Sequence, residues 1–289
     1  MFDVIGDPAA TSTTLMVSTV ASLFLGAHLW SPHRYRAAVM RAAGLLVALT
    51  GLIFAIHGHG WVTRLDAATT NWFVAHRSSR LDVVAVVITD LGSPVCVAAA
   101  SVVSATLLSW LARSIVPGTV ILGVVSAAAL TETVIKALID RPRPAPGLQL
   151  VLETDASFPS GHVTATAALL GIVAVYVGAS RGRTGRFWLM SGAVIGVLII
   201  AATRVYLGVH WLTDVTGAAI IASAYVVVGA TALSALGARH QVGGTLSADV
   251  VPAEEATDDV ARRNDAAGCS PGALAEVERP EETPTDAFR

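Results

Sequence analysis

Charge is scarce in this sequence: Asp, Glu, Lys and Arg make up 14% of its 289 residues, against about 25% in an ordinary soluble domain. A soluble helical protein with a large core needs polar outer faces on its helices. Stretches such as AVIGVLIIAA and AIIASAYVVVGA have none. Cysteine is nearly absent, with Cys96 in an apolar stretch and Cys269 near the end, which excludes a disulfide framework. Lysine occurs once, at Lys136, and no basic patch carries interleaved aromatics, so nothing points to a nucleic-acid partner. No group of carboxylates resembles a magnesium site, and neither a metal nor another cofactor is expected.

What the chain has instead is apolar residues, 54% of the total, gathered into long runs. A run of about 20 residues crosses about 30 Å of hydrocarbon as a helix. Membrane helices are expected at about 13–30, 37–57, 84–112, 116–139, 161–180, 188–206 and 212–236. The first has Asp3 and Asp7 where a signal peptide would be basic, so it reads as an extra transmembrane helix. Ser93-Pro94 has the form of an N-cap followed by proline at the first helical position, and Pro117-Gly118 opens the next span. The segment before Ser93, from about Leu81, reads as a separate interfacial turn of helix. The expected fold is therefore all-α: a polytopic membrane bundle with a six-helix core over 37–236, preceded by the extra N-terminal helix within 1–36. Residues 237–289, rich in acids, Ala, Gly, Pro and Thr, read as a disordered cytoplasmic tail.

Trp30, Trp61, Trp72, Trp110, Trp188 and Trp211 fall near span ends or in loops, as interfacial belts require. Arginine sets the orientation. Arg34, Arg36 and Arg41, then Arg113, then Arg181, Arg183 and Arg186 mark one side as cytoplasmic in a cell membrane. The opposite side receives 58–83, 140–160 and 207–211, with Arg64, Arg77 and Arg80 weakening the bias in the first. Within it, Trp61 to Asp82 is long enough for an amphipathic helix on the outer surface.

Charges beside membrane spans are costly and mark a site by default. They converge on the outward side: Lys136, Arg141 and Arg143 in KALIDRPRP, His162 in FPSGH, and Arg204, His210 and Asp214 in TRVYLGVHWLTD. Lys136, Arg143 and Arg204 can surround one phosphate and neutralise charge on its oxygens. Ser160 and Gly161 open a helix, where backbone N–H groups and the helix dipole favour an anion, and Gly161 permits close approach. His210 and Asp214 are four apart, so Asp214 can hold Nδ1–H and leave Nε2 to attack phosphorus. His162 then serves as general acid and, afterwards, base. Arg141 reads either as an interfacial anchor or as a ligand. Glu132 is placed for a helix-face ion pair with Lys136, Asp140 and Asp155 read as solvated loop acids, and His28, His33, His57, His59, His76 and His240 as interfacial polar groups.

These residues resemble the signature of the type 2 phosphatidic acid phosphatases, a family of membrane lipid phosphatases. Its first part, Lys, six residues, Arg-Pro, is met by Lys136 and Arg143-Pro144; its second, Pro-Ser-Gly-His, by Pro159 to His162. Its third, Ser-Arg, five residues, His, three residues, Asp, is met by Arg204, His210 and Asp214, with Thr203 replacing the serine. The resemblance implies that Lys136, Arg143, Ser160, Gly161 and Arg204 bind phosphate, that His162 is the acid, and that His210 with Asp214 forms the nucleophile pair. It also implies metal-independent hydrolysis of a lipid phosphate or diphosphate drawn from the surrounding membrane lipids, with undecaprenyl-type diphosphate as the leading substrate. Phosphatidate and phosphatidylglycerophosphate follow. The competing readings are a phosphotransferase with a sugar or lipid hydroxyl as acceptor, and a non-catalytic anion-binding transporter.

Overall fold

The structure, a computed structural model, describes residues 34–58 and 60–248. Contacts divide the chain into two units, Met1–Ala238 and Arg239–Arg289, and the site lies in the first. The extra helix expected at 13–30 and the tail beyond residue 248 lie outside the described residues.

Among the described residues every regular element is helical: α1 (Arg34–His57), α2 (Trp61–Ala75), α3 (Ser79–Leu91), α4 (Pro94–Ala112), α5 (Val116–Ile139), a 3₁₀ turn at Pro146–Leu148, α6 (Gly161–Ala179), α7 (Arg183–Tyr206) and α8 (Leu212–Ala248). Six contain segments long and apolar enough to cross a membrane: Arg36–His57, Pro94–Ala112, Val116–Ile139, Gly161–Ala179, Arg183–Tyr206 and Leu212–Leu236. The core six expected from the sequence are all present, with changed boundaries. The run expected over 84–112 is two helices, because Ser93 accepts from the Cys96 amide at 3.3 Å and Pro94 starts α4 with no amide proton to lose. The surface helix expected over 61–82 is likewise divided, α2 ending at Ala75 and α3 starting after the N-cap Ser78. α7 begins at Arg183 rather than 188. α8 runs on to Ala248, past the boundary expected at 236; residues 237–248 contain no proline to break its ladder.

α6 is the most buried of the six spans. Its Ala165, Ala168 and Ile172 meet Ile121, Val124 and Ala128 of α5 and Ala222 and Val226 of α8 in one apolar cluster. Small residues at such contacts let helix backbones come close, which gains dispersion energy that lipid tails cannot match. Val95, Leu107, Leu130 and Leu198 are exposed on the outer faces. A soluble protein would hide so much apolar surface.

α2 differs from the spans in that its buried face, Val62, Asp66 and Thr70, is mostly polar. Its end is fixed by Arg77, whose Nη2 donates to the carbonyls of Tyr206 at 2.7 Å and Leu148 at 2.8 Å. α3 is fixed to the end of α7 by the Tyr206 hydroxyl, which donates to Asp82 at 2.6 Å. These ties hold the α2–α3 pair against the loops that carry the charged residues.

Candidate active site

Three stretches meet at one end of the bundle. Lys136 closes α5, His162 stands in the first turn of α6, and the chain from Arg204 to Asp214 passes from α7 to α8 through a tight turn. Gly208 makes that turn with φ +72°, a left-handed conformation that suits glycine, and a Cβ there would collide with the Leu148 carbonyl. The loop 140–160 is stitched to the turn by the Leu150 amide, which donates to the Leu207 carbonyl at 2.9 Å.

A cavity of about 610 Å³ opens between these parts, lined by Lys136, Arg143, Glu153, Gly161, His162 and His210 among others. Pro94 at the start of α4 and Thr133 and Ala137 on α5 form its flank. His210 is 1% exposed, and its two ring nitrogens face different surroundings. Nδ1 lies 2.8 Å from the Ser157 carbonyl and 3.4 Å from Asp214 Oδ2, both acceptors, so the ring proton belongs on Nδ1. Nε2 accepts from Arg143 Nη1 at 3.1 Å and is therefore the unprotonated nitrogen, its lone pair engaged by Arg143 until a phosphate draws that guanidinium away. Burial pushes His210 below its ordinary pKa; Asp214 opposes this, and Arg143 and Arg204 add to it, which favours the neutral ring. Asp214 is fully buried and accepts from the Ser157 hydroxyl, from the Trp211 amide at 2.8 Å and from Arg141 Nη1 at 2.5 Å.

Residues 117–236, which hold all three charged stretches, match the model of the PAP2 superfamily. Those residues are similar to the PAP2 superfamily. A crystal structure of a transmembrane PAP2 type phosphatidylglycerolphosphate phosphatase from Bacillus subtilis superposes with a TM-score of 0.60 at 27% identity, covering 65% of this chain and 94% of that one. Phosphatidylglycerophosphatase B of Bacillus subtilis (strain 168) is 36% identical over 104 residues, 35% of this chain. The chain spans about half the length of that curated relative, 50%. With this likeness the bundle is a polytopic membrane fold of the PAP2 type.

Within this site the expected residues do not all stand alike. Lys136, Arg143, Gly161, His162 and His210 line the cavity. Arg204 does not: it is 1% exposed, and its Nη2 is ion-paired to the Glu153 carboxylate, which stands on the cavity side. Ser160 is buried, with its amide donating to the Asp214 carbonyl at 3.3 Å, so that amide is unavailable to an anion. Its Oγ has no hydrogen-bond partner. The first bond of α6 runs from the Thr164 amide to the Ser160 carbonyl, so the amides of Gly161, His162 and Val163 have no preceding turn to bond. Arg141 is neither an interfacial anchor nor a ligand: it is buried behind the cavity, between Asp66 and Asp214. The Glu132–Lys136 pair forms, at 2.9 Å. Asp155 is exposed but not merely solvated, since it binds Lys136 and Arg143 at 2.6 Å each.

The loop acids are what sequence reasoning missed. Glu153 pairs with Arg143 at 2.8 Å and with Arg204, so carboxylates neutralise every cation of the expected phosphate set. Burial pushes Glu153 up, but Arg204, Arg143 and His210 outweigh it and hold the carboxyl below its ordinary value. Partial burial pushes Asp155 up as well, and Lys136 and Arg143 bring it down to about 2. The signal available was the spacing of two acids, Glu153 and Asp155, just ahead of the FPSGH stretch.

Proposed function

We propose that this chain is a membrane phosphatase that hydrolyses lipid phosphates or diphosphates without a metal, through a phosphohistidine on His210. The observation that carries the reading is the state of His210: buried, protonated on Nδ1, with Nε2 facing the cationic cavity beside Arg143. The substrate's phosphate takes the place of the Glu153 and Asp155 carboxylates against Lys136, Arg143 and Arg204. The Ser160 hydroxyl, which lacks a partner, and the Gly161 amide complete the donors. His210 Nε2 forms a bond to phosphorus as the bond to the leaving oxygen breaks, and His162 gives that oxygen a proton. Water then attacks the phosphohistidine, His162 takes a proton from it, and free phosphate leaves with His210 neutral again. Nη groups of the arginines stabilise the charge that spreads over the equatorial oxygens.

The names of its relatives put phosphatidylglycerophosphate on the substrate panel beside undecaprenyl-type diphosphate and phosphatidate. Arg113 and Arg181 stand in the connections, and Arg183 and Arg186 in the first turn of α7, all at the other ends of the spans, which supports a site on the extracytoplasmic face and a cytoplasmic tail. The test is phosphate release from that lipid panel by detergent-purified wild type and His210→Ala. The wild type is expected to release phosphate from at least one lipid, and His210→Ala to lose about a thousandfold or more. Equal rates for the two proteins would remove the histidine mechanism.

A further inference from the structure

Behind His210, away from the cavity, lies a buried ionic cluster: Asp214 faces the imidazole, and the reaction above gives Arg141 and Asp66 behind it no role. Arg141 Nη2 donates to Asp66 Oδ2 at 2.8 Å, and Arg141 Nη1 donates to Asp214 Oδ1 at 2.5 Å. Thr213 lies within it, its hydroxyl 2.6 Å from Arg141 Nη1 and 2.7 Å from Asp66 Oδ2, and its amide donates to Asp66 Oδ1 at 2.9 Å. Asp66 is 1% exposed and faces a separate cavity of about 290 Å³ with His57, Thr63 and Trp211. It therefore touches no part of a substrate held at His210.

Counting charge shows what Asp66 can do. Asp214 and Arg141 alone form a neutral pair, which would offer the imidazole a dipole in place of a charge. Asp66 makes the cluster net negative by one. We propose that Asp66 is a positioning residue for His210: it shares Arg141 with Asp214, so that the inner edge of the imidazole keeps a net negative charge beside it. The proposal rests on the histidine-nucleophile reading above. As Nε2 bonds phosphorus the ring becomes cationic, and that charge forms in a dry site where a nearby counter-charge acts strongly.

Asp66 also holds the geometry. It accepts the Thr213 amide at the start of α8, next to Asp214, and so fixes the turn that aims His210. Burial pushes its carboxyl above the ordinary value, while Arg141 and Thr213 oppose that. Both its oxygens already accept donors, which leaves a carboxylic proton with no acceptor. The other charged groups facing His210 are Arg143, Arg204, Glu153 and His162, and none of them belongs to this cluster.

The experiment is a pH profile of kcat and kcat/KM on phosphatidylglycerophosphate and phosphatidate in mixed micelles, with full-length protein. The proteins are wild type, Asp66→Asn, Asp66→Glu and the double variant Asp66→Asn/Arg141→Gln. Loss of the Asp66 charge destabilises the imidazolium, so the acid limb of kcat/KM moves to lower pH by about one unit in Asp66→Asn. Its kcat falls about tenfold or more, with KM nearly unchanged. The double variant restores the net charge of minus one and is expected to bring the limb back to the wild-type position; Asp66→Glu keeps the charge and the limb. A merely structural Asp66 would make the double variant worse than the single one and leave its limb displaced. An unmoved limb and rate in Asp66→Asn, or a displaced limb in the double variant or in Asp66→Glu, overturns the proposal. If wild type releases phosphate from none of the three panel lipids, undecaprenyl-type diphosphate included, or His210→Ala matches it, the phosphatase reading itself has failed.

Discussion

At the scale of single residues, Glu153 sets, on the proposed function, the terms on which a phosphate enters. Its carboxylate separates Arg204 from the cavity and occupies one side of Arg143. An incoming phosphate gains those cations only after displacing it, so Glu153→Gln is expected to tighten inhibition by inorganic phosphate about five- to tenfold. An unchanged inhibition constant would show that the carboxylate does not compete. Glu153 and Asp155 are both held below their ordinary values, so the stability from their ion pairs is fully present above pH about 4.5. It is lost on acidification, the Asp155 part as pH falls through about 2. Lys136, Arg143, His162 and His210 were legible in the sequence because their types and spacings are chemical. Glu153 was not, since its partners lie far along the chain, Arg204 fifty-one residues away. Nothing in the local sequence showed that the Ser160 amide is spent on Asp214.

At the scale of elements, the site depends on how closely α6 and α8 start beside each other. A Cβ on Gly217 would stand 2.5 Å from Phe158 Cε2, and Phe158 is fully buried just ahead of Pro159 and Ser160. Gly217→Ala is therefore expected to push the segment Ser157–Gly161, which holds the Nδ1 acceptor and the anion-facing amides. Overpacking of this kind costs about 1–3 kcal/mol, read as a lower unfolding temperature in detergent together with slower phosphate release. Unchanged values in both would mean that Phe158 moves freely. The apolar runs made the six spans legible through length and hydropathy, and the Ser93-Pro94 cap was read correctly. The division of 84–112 needed the weight of that cap against a continuous apolar pattern. The polar inner face of α2 was hidden because Asp66 looks like a solvent-facing position until its partners, Thr213 on α8 and Arg141 in the 140–160 loop, are known.

At the scale of the whole molecule, the six spans and the arginines at their far ends make a statement about sidedness. In a background with Cys96→Ser and Cys269→Ser, Thr154→Cys is expected to react with an impermeant thiol reagent in intact cells. Arg181→Cys should react only after permeabilisation. The reverse pattern would turn the bundle over and open the charged cavity to the cytoplasm. α6 links the two positions directly, since Thr154 precedes its start and Arg181 follows its end.

If the proposed lipid phosphatase function holds, the flank of the cavity made by Pro94, Thr133 and Ala137 has a kinetic meaning. A headgroup that slips in past α4 and α5 can leave its acyl chains where they already were. Encounter is then a search over a plane, and the concentration that governs turnover is the substrate's share of the surrounding leaflet, however dilute the suspension.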